Sequence, residues 1–145
     1  MWLRLLLVIS SIALTGKAGA YTAYVSNERS NTVSVIDTNK WEVVKTIKVG
    51  QRPRGIAHTK DQKYVLVAAG DDDTIQIIDT KTLKIVDDLP SGPDPETFAL
   101  PASGTLYVSN EDDSLVTVID VPLRKVIAEI PAGGSARLAN GVYPG

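Results

Sequence analysis

The stretch Thr32-Val33-Ser34-Val35-Ile36-Asp37 decides the fold, because the chain contains it three times with small changes. It returns at 74–79 as TIQIID and at 115–120 as LVTVID, so the steps between copies are 42 and then 41 residues. The same two steps separate three glycines, Gly50, Gly92 and Gly133. A fixed period of about 40 to 45 residues indicates a repeat architecture, in which each supersecondary unit stacks on its neighbours.

The composition suits an ordinary globular protein and excludes several classes of function. The chain has 145 residues, of which 43% are hydrophobic, and this share argues against a disordered chain. The net charge of −2 and the scattered basic residues give no electrostatic footprint for nucleic acid.

Cysteine is absent, which excludes disulfides, Cys-ligated zinc, iron–sulfur clusters, covalently attached haem and a thiol nucleophile. His58 is the only histidine, so a histidine-built metal site or a Ser-His-Asp triad would depend on that one imidazole. On the predicted first strand of its repeat, His58 is expected to be packed or hydrogen-bonded. We therefore predict no catalytic residues, no metal ligands and no cofactor.

Residues 1–20 have the pattern of a secretory signal peptide. A charged start that includes Arg4 precedes the apolar run 5–14, and Ala18-Gly19-Ala20 is a small-residue cleavage site. A membrane span is the alternative, but ten apolar residues reach only about half the length that a bilayer requires. A lipoprotein anchor would need a cysteine. The segment predicts cleavage before Tyr21, export to a bacterial periplasm and no membrane anchor afterwards.

From Tyr21 onward, apolar and polar residues alternate in short runs between turn residues, a pattern typical of antiparallel strands. The middle repeat predicts four strands, at 55–59, 64–69, 74–79 and 84–88. The third repeat predicts four more, at 97–101, 105–109, 115–120 and 125–130. The first repeat lacks the leading strand and starts at 21–26, as in a ring closed by a strand from elsewhere in the chain. We therefore predict an all-β fold, a partial β-propeller with about three four-stranded antiparallel blades.

Two kinds of turn residue recur at equivalent positions. Asp37, Asp79 and Asp120 each close the third strand of a repeat, and we expect their carboxylates to accept hydrogen bonds from turn amides. Gly50 and Gly92, which are followed by prolines, are expected to form inter-blade turns through their backbone preferences.

The segments Tyr24-Val25-Ser26-Asn27 and 106–110 (LYVSN), together with the three Val/Ile-Asp strands, resemble the YVTN family of β-propeller repeats. The resemblance covers residues 21–133, divided into repeats at about 21–49, 50–91 and 92–132. Further segments resemble periplasmic propeller proteins associated with PQQ-dependent alcohol catabolism: 23–28, 49–57, 89–96 and 109–113. This likeness implies a non-catalytic accessory or binding protein, with a periplasmic quinoprotein dehydrogenase or cytochrome system as partner.

The chain departs from that family in length and at its end. Seven blades of about 40 residues would need roughly 300 residues, and the tail 134–145 does not continue the repeat: Ala136 replaces the expected proline. A truncated gene product is the expectation that accounts for both departures. Three blades would leave two sheet faces open, which favours self-association.

Propellers bring the loop between the second and third strands and the inter-blade connection to one face, around the channel mouth. We predict ligand-binding residues there: Arg52, Arg54, Asp94, Glu96, Asn27 and Asn110. The alternative is that these are solvated turn residues. The adjacent acids 71–73 do not predict calcium, because the spacing of an EF-hand loop is absent. A lactonase-like propeller hydrolase is the alternative function, because fold alone does not decide between binding and hydrolysis.

Overall fold

The computed structural model describes residues 21–101 and 103–134. The predicted signal peptide and the tail beyond Gly134 lie outside these residues. Within the described part, no helix is long and apolar enough to cross a membrane. The described residues are almost entirely strands and tight turns, so the all-β prediction is confirmed.

Eleven strands form three antiparallel sheets in the described chain, and each sheet is one blade. The first blade contains β1 (Thr22–Asn27), β2 (Thr32–Asp37) and β3 (Glu42–Lys48). The second contains β4 (Pro53–His58), β5 (Tyr64–Ala69), β6 (Thr74–Asp79) and β7 (Lys84–Pro90), with a short 3₁₀ turn at Gly70–Asp72. The third contains β8 (Pro95–Ala99), β9 (Thr105–Asn110), β10 (Leu115–Asp120) and β11 (Lys125–Pro131). The blades do not close into a ring within these residues, and the first blade has three strands, as its sequence predicts.

Two strands begin earlier than the sequence pattern predicts. β4 starts at Pro53 rather than Gly55, and β8 starts at Pro95 rather than Thr97. A proline has no N–H to donate, so it is tolerated as the first residue of a strand. As a result, Arg54 and Glu96 lie within strands instead of just before them.

The core lies between the blades, and the two-residue period of β5 shows how it is built. Val65 and Val67 pack towards the first blade, in a cluster with Val33 and Val35. The residues between and after them, Leu66 and Ala68, pack towards the third blade, in a cluster that includes Leu106, Val108 and Ile119. Every one of these side chains is at most 1% exposed. The middle blade therefore buries both faces, and its strands are apolar on both sides.

The repeated sequence produces repeated local geometry. Asp37 accepts hydrogen bonds from the amides of Asn39 and Lys40, and Asp79 accepts them from Lys81 and Thr82. Asp120 accepts one from the Leu123 amide. The expected Asx-type turns are confirmed. In each blade the pairing of the last two strands also contains a register shift, which lies just before the final two residues of β2, β6 and β10. In the first blade it lies between Val35 and Ile36.

The two inter-blade glycines serve different needs. Gly92 has φ +75°, which an L side chain disfavours, so the expected backbone preference applies there. Gly50 has no positive φ, but a Cβ on it would lie 2.7 Å from the Cβ of Ala69 and would also meet the Asp72 carboxylate. Gly50 therefore supplies space, which the sequence pattern did not indicate.

Candidate functional site

The loops between second and third strands meet the inter-blade connections at one end of the blades, and we call this end the channel-face rim. The backbone and side chains of the two kinds of segment are hydrogen-bonded together. The Gly70 amide donates to the Arg52 carbonyl at 3.1 Å, and the Gln51 amide donates to an Asp72 carboxylate oxygen at 2.8 Å. One blade further on, the Asp94 amide donates to Asp73 at 3.0 Å. These acids thus hold the rim together.

Arg52 and Asp94 occupy equivalent positions in successive connections and share an unusual backbone conformation. Their φ angles are +53° and +46°, in the left-handed region that non-glycine residues seldom occupy. The Arg52 amide donates to the side-chain oxygen of Asn31 at 3.0 Å, which helps to hold the first of these turns.

Arg52 binds acids on both sides of it. Its guanidinium pairs with the Asp94 carboxylate across the blade boundary, lies 3.2 Å from Asp71 and lies 3.8 Å from Glu96. The Asp94 side chain is 12% exposed, so its charge is largely removed from water. A charge in that position is stable only when it is paired.

Arg54 forms the second centre of the rim. Its guanidinium pairs with Glu96, whose side chain is 8% exposed, and also lies 3.1 Å from Glu28 of the first blade and 3.9 Å from Glu111. The hydrogen bond to Glu96 is the main reason that the pKa of Arg54 is raised above its ordinary value. Arg54 therefore connects all three blades through their carboxylates.

The two predicted asparagines serve the architecture in different ways. Asn110 is fully buried: its amide donates to the carbonyls of Ser91 at 2.9 Å and Pro93 at 2.7 Å, and it accepts a bond from Thr117 at 2.7 Å. Asn27 is only partly buried and donates to hydroxyls within its own blade. The geometry thus brings Arg52, Arg54, Asp94 and Glu96 together and places both asparagine amides in internal hydrogen bonds.

Asp94, Glu96 and Glu111 offer oxygens within 4.8 Å of one another, the only such group of three acidic or histidine ligands among the described residues. A divalent cation prefers several oxygen ligands of this kind. Two guanidinium groups already lie among these carboxylates and supply the positive charge. The arrangement is an ion-pair network, in which a metal would have to compete with arginine.

Glu28, Asp71 and Glu111 also belong to this network, and the sequence analysis did not select them as site residues. A usable signal was present: the pairs Arg52–Asp94 and Arg54–Glu96 are each separated by 42 residues, one repeat. Opposite charges at equivalent positions of neighbouring blades indicate contact across the blade boundary.

A comparison with known protein families identifies the family to which this chain belongs. The model of the YNCE-like β-propeller family matches residues 7–88, more than half of the chain. The chain therefore belongs to the YNCE-like β-propeller family. No curated protein sequence matches it significantly.

Solved structures agree on the fold. Hydrazine synthase of Kuenenia stuttgartiensis superposes with a TM-score of 0.72 at 20% identity, over 79% of this chain and 33% of that one. Apo AztD from Citrobacter koseri gives 0.64 at 19% identity, over 81% of this chain and 34% of that one. The dihydro-haem d1 dehydrogenase NirN, in complex with DHE, gives 0.63 at 19% identity, over 78% and 25%. The chain thus spans between 25% and 34% of the length of these structures, and at such identities the likeness establishes the fold.

Proposed function

We propose that this protein is an exported, non-catalytic propeller that binds a basic partner protein through its channel-face rim. The observation that carries the proposal is the charge of that rim. Its loops, connections and strand starts contain nine acids and three arginines: Glu28, Asp71, Asp72, Asp73, Asp94, Glu96, Glu111, Asp112 and Asp113 with Arg29, Arg52 and Arg54. The formal excess is six negative charges, although the whole chain carries only −2.

The exposed part of the rim is mostly acidic, although Arg29 is exposed as well. Asp71, Asp72, Asp73, Asp112 and Asp113 are exposed, whereas Arg52 and Arg54 are occupied by ion pairs. The turns at the opposite end of the blades combine both signs of charge: Lys40, Lys60, Lys63, Lys81 and Arg124 lie there with Asp37, Asp61, Asp79 and Asp120. A surface with one sign of charge steers a partner of the other sign and raises its association rate.

The geometry favours binding over the alternative of a lactonase-like hydrolase. A hydrolase of that kind needs carboxylates that are free to hold a metal or to exchange protons. Here the converging carboxylates of Asp94 and Glu96 are paired with arginines, and Glu111 lies 3.9 Å from Arg54. The paired network stabilises the position of the blades, and the exposed carboxylates of Asp112 and Asp113 beside it remain available to a partner.

The partner class follows from the sequence resemblance, and we propose a quinoprotein alcohol dehydrogenase or its cytochrome acceptor in the periplasm. The proposed export can be tested directly. N-terminal sequencing of the protein from a periplasmic extract should start at Tyr21. A mature protein that retains residues 1–20, or that stays in the cytoplasm, would contradict the localisation.

Docking can be tested by surface plasmon resonance with a purified quinoprotein alcohol dehydrogenase and with its cytochrome. We expect binding that weakens by roughly tenfold or more when the salt concentration rises from about 50 to about 500 mM, because screening weakens the attraction between exposed charges. Asp112→Asn/Asp113→Asn should slow association.

The control is Glu129→Gln, which removes a negative charge from the exposed outer strand β11 instead of the rim. It should leave association nearly unchanged. If neither partner binds, the link to alcohol oxidation is wrong. If a partner binds equally well to the Asp112/Asp113 double variant, docking at the rim is wrong.

A further inference from the structure

A concave surface lies at the end of the blades opposite to the rim, between the first and the second blade. Its volume is about 620 Å³, within the range of about 300–1,000 Å³ typical of small-molecule pockets. All eight of its lining residues have rings or polar side chains, among them Tyr21, Tyr24, His58, Lys60, Gln62 and Thr80. We call this surface the Tyr24–His58 pocket.

Comparison of the two blade boundaries shows what is unusual about the pocket. Between the second and third blades, Leu66 belongs to the apolar core and Leu100 packs against it. One repeat of 42 residues earlier, the same two positions are Tyr24 and His58. Their rings meet edge to face with centroids 5.1 Å apart. Tyr24 packs against the apolar core of the first boundary, but the two leucines at the second boundary show that the fold does not need a hydroxyl or an imidazole at these positions.

The chemistry of the pocket favours an anion. Lys60 is exposed and makes no ion pair or hydrogen bond with any described residue. No Asp or Glu is among the described residues that line the pocket. Two acids adjoin lining residues in the sequence, Asp61 after Lys60 and Asp79 before Thr80, and their carboxylates accept hydrogen bonds: Asp61 from Thr59 and Lys63, Asp79 from turn amides.

The aromatic groups favour a flat ligand. Burial, and to a smaller extent the charge of Asp79, raises the pKa of the Tyr24 hydroxyl above its ordinary value, so this phenol stays neutral and can donate a hydrogen bond. The exposed ring of Tyr21 and the exposed imidazole of His58 provide surfaces on which an unsaturated ring can stack.

We propose that the Tyr24–His58 pocket binds a small organic anion with a flat unsaturated ring, of the aromatic carboxylate class. The Lys60 ammonium pairs with the carboxylate, and the rings of Tyr24 and His58 contact the ring of the ligand. This site lies at the end of the blades opposite to the channel-face rim, so it does not depend on the proposed docking of a protein there.

The test uses 4-hydroxybenzoate as the probe and its neutral counterpart 4-hydroxybenzamide, with the full chain. His58 is the only histidine, so its ring protons give an unambiguous NMR signal for this pocket. We expect a saturable shift of that signal, one-to-one binding by calorimetry and roughly tenfold weaker binding of the amide, because a charge-assisted bond is lost.

Two variants test the residues. Lys60→Gln should weaken binding of the benzoate roughly tenfold, whereas Lys81→Gln, which removes a charge from a neighbouring turn at the same end, should change it less than about twofold. His58→Leu places in this pocket the residue that the next blade carries at Leu100, so it should fold normally and lose at least about tenfold in affinity.

Three results would overturn the proposal. They are the absence of saturable binding up to about 10 mM probe, equal affinity for the benzoate and the amide, and unchanged affinity in both Lys60→Gln and His58→Leu.

Discussion

Arg54 and Glu96 stand one repeat apart in the sequence and form an ion pair across the boundary between the second and third blades. Arg52 and Asp94 do the same two residues earlier. Two cationic positions on one blade therefore face two anionic positions on the next. This pairing aligns neighbouring blades at the channel-face rim, where the backbone leaves the ladder of the sheet.

Removal of Arg54 should destabilise the fold. Arg54→Leu leaves the largely buried Glu96 carboxylate with only the more distant Arg52 guanidinium at 3.8 Å, so we expect a loss of about 2–3 kcal/mol in the free energy of unfolding, measured with urea. The double variant Arg54→Leu/Glu96→Leu removes both charges and should lose less than about 1 kcal/mol. A double variant as unstable as Arg54→Leu would contradict this account.

Asn110 should contribute far more to the free energy of unfolding than Asn27, its equivalent in the first blade. Asn110→Ala leaves the buried carbonyl of Ser91 and the part-buried carbonyl of Pro93 without their donor, which should cost about 2–3 kcal/mol. The control Asn27→Ala removes bonds to part-exposed hydroxyls that water can replace, at a cost below about 1 kcal/mol. If thermal or chemical unfolding shows the same loss of stability in both variants, the burial of Asn110 does not explain its contribution.

The hydrogen-bonded carboxyl of Asp79 should make the stability of the fold depend on pH in the acid range. Hydrogen bonds from the Thr82 amide, chiefly, and from the Lys81 amide lower the pKa of its carboxyl below the ordinary value of 3.8. The unfolded chain therefore binds this proton more tightly than the folded chain does. The stabilisation is present above pH 3.8 and is lost as the pH falls through the lower folded value.

The matched variant is Asp79→Asn, which keeps the acceptor oxygen but cannot ionise. We expect the difference in unfolding free energy between the natural chain and this variant to shrink as the pH falls below 3.8. A difference that stays constant from neutral to acid pH would rule out the carboxylate as its source.

Gly55 lies at a close approach of β4 and β8. A Cβ there would lie 2.9 Å from the Glu96 carbonyl oxygen and 3.1 Å from the Thr97 Cα. These are backbone atoms, so the two strands must move apart, and Gly55→Ala should destabilise the chain by about 1–3 kcal/mol. Unchanged stability in chemical denaturation would mean that the blades adjust at no cost.

The sequence by itself determined the repeat, the strand order within each blade and the Asx turns at Asp37, Asp79 and Asp120. These features depend on neighbours in the chain: a two-residue alternation makes a strand, and an aspartate bonds amides two or three residues ahead. The missing leading strand of the first blade was visible for the same reason.

Tertiary structure decided the partners within the site. Sequence placed Arg52, Arg54, Asp94 and Glu96 on one rim, but only the packing of neighbouring blades made them ion pairs. The same packing buried the amide of Asn110 beneath a connection and joined Tyr24 to His58 in a pocket. Strand starts at Pro53 and Pro95 were also missed, because a proline in a strand is permitted only by its place in the sheet. Contacts between blades depend on stacking angle and backbone conformation, and a local pattern of residues does not encode either one.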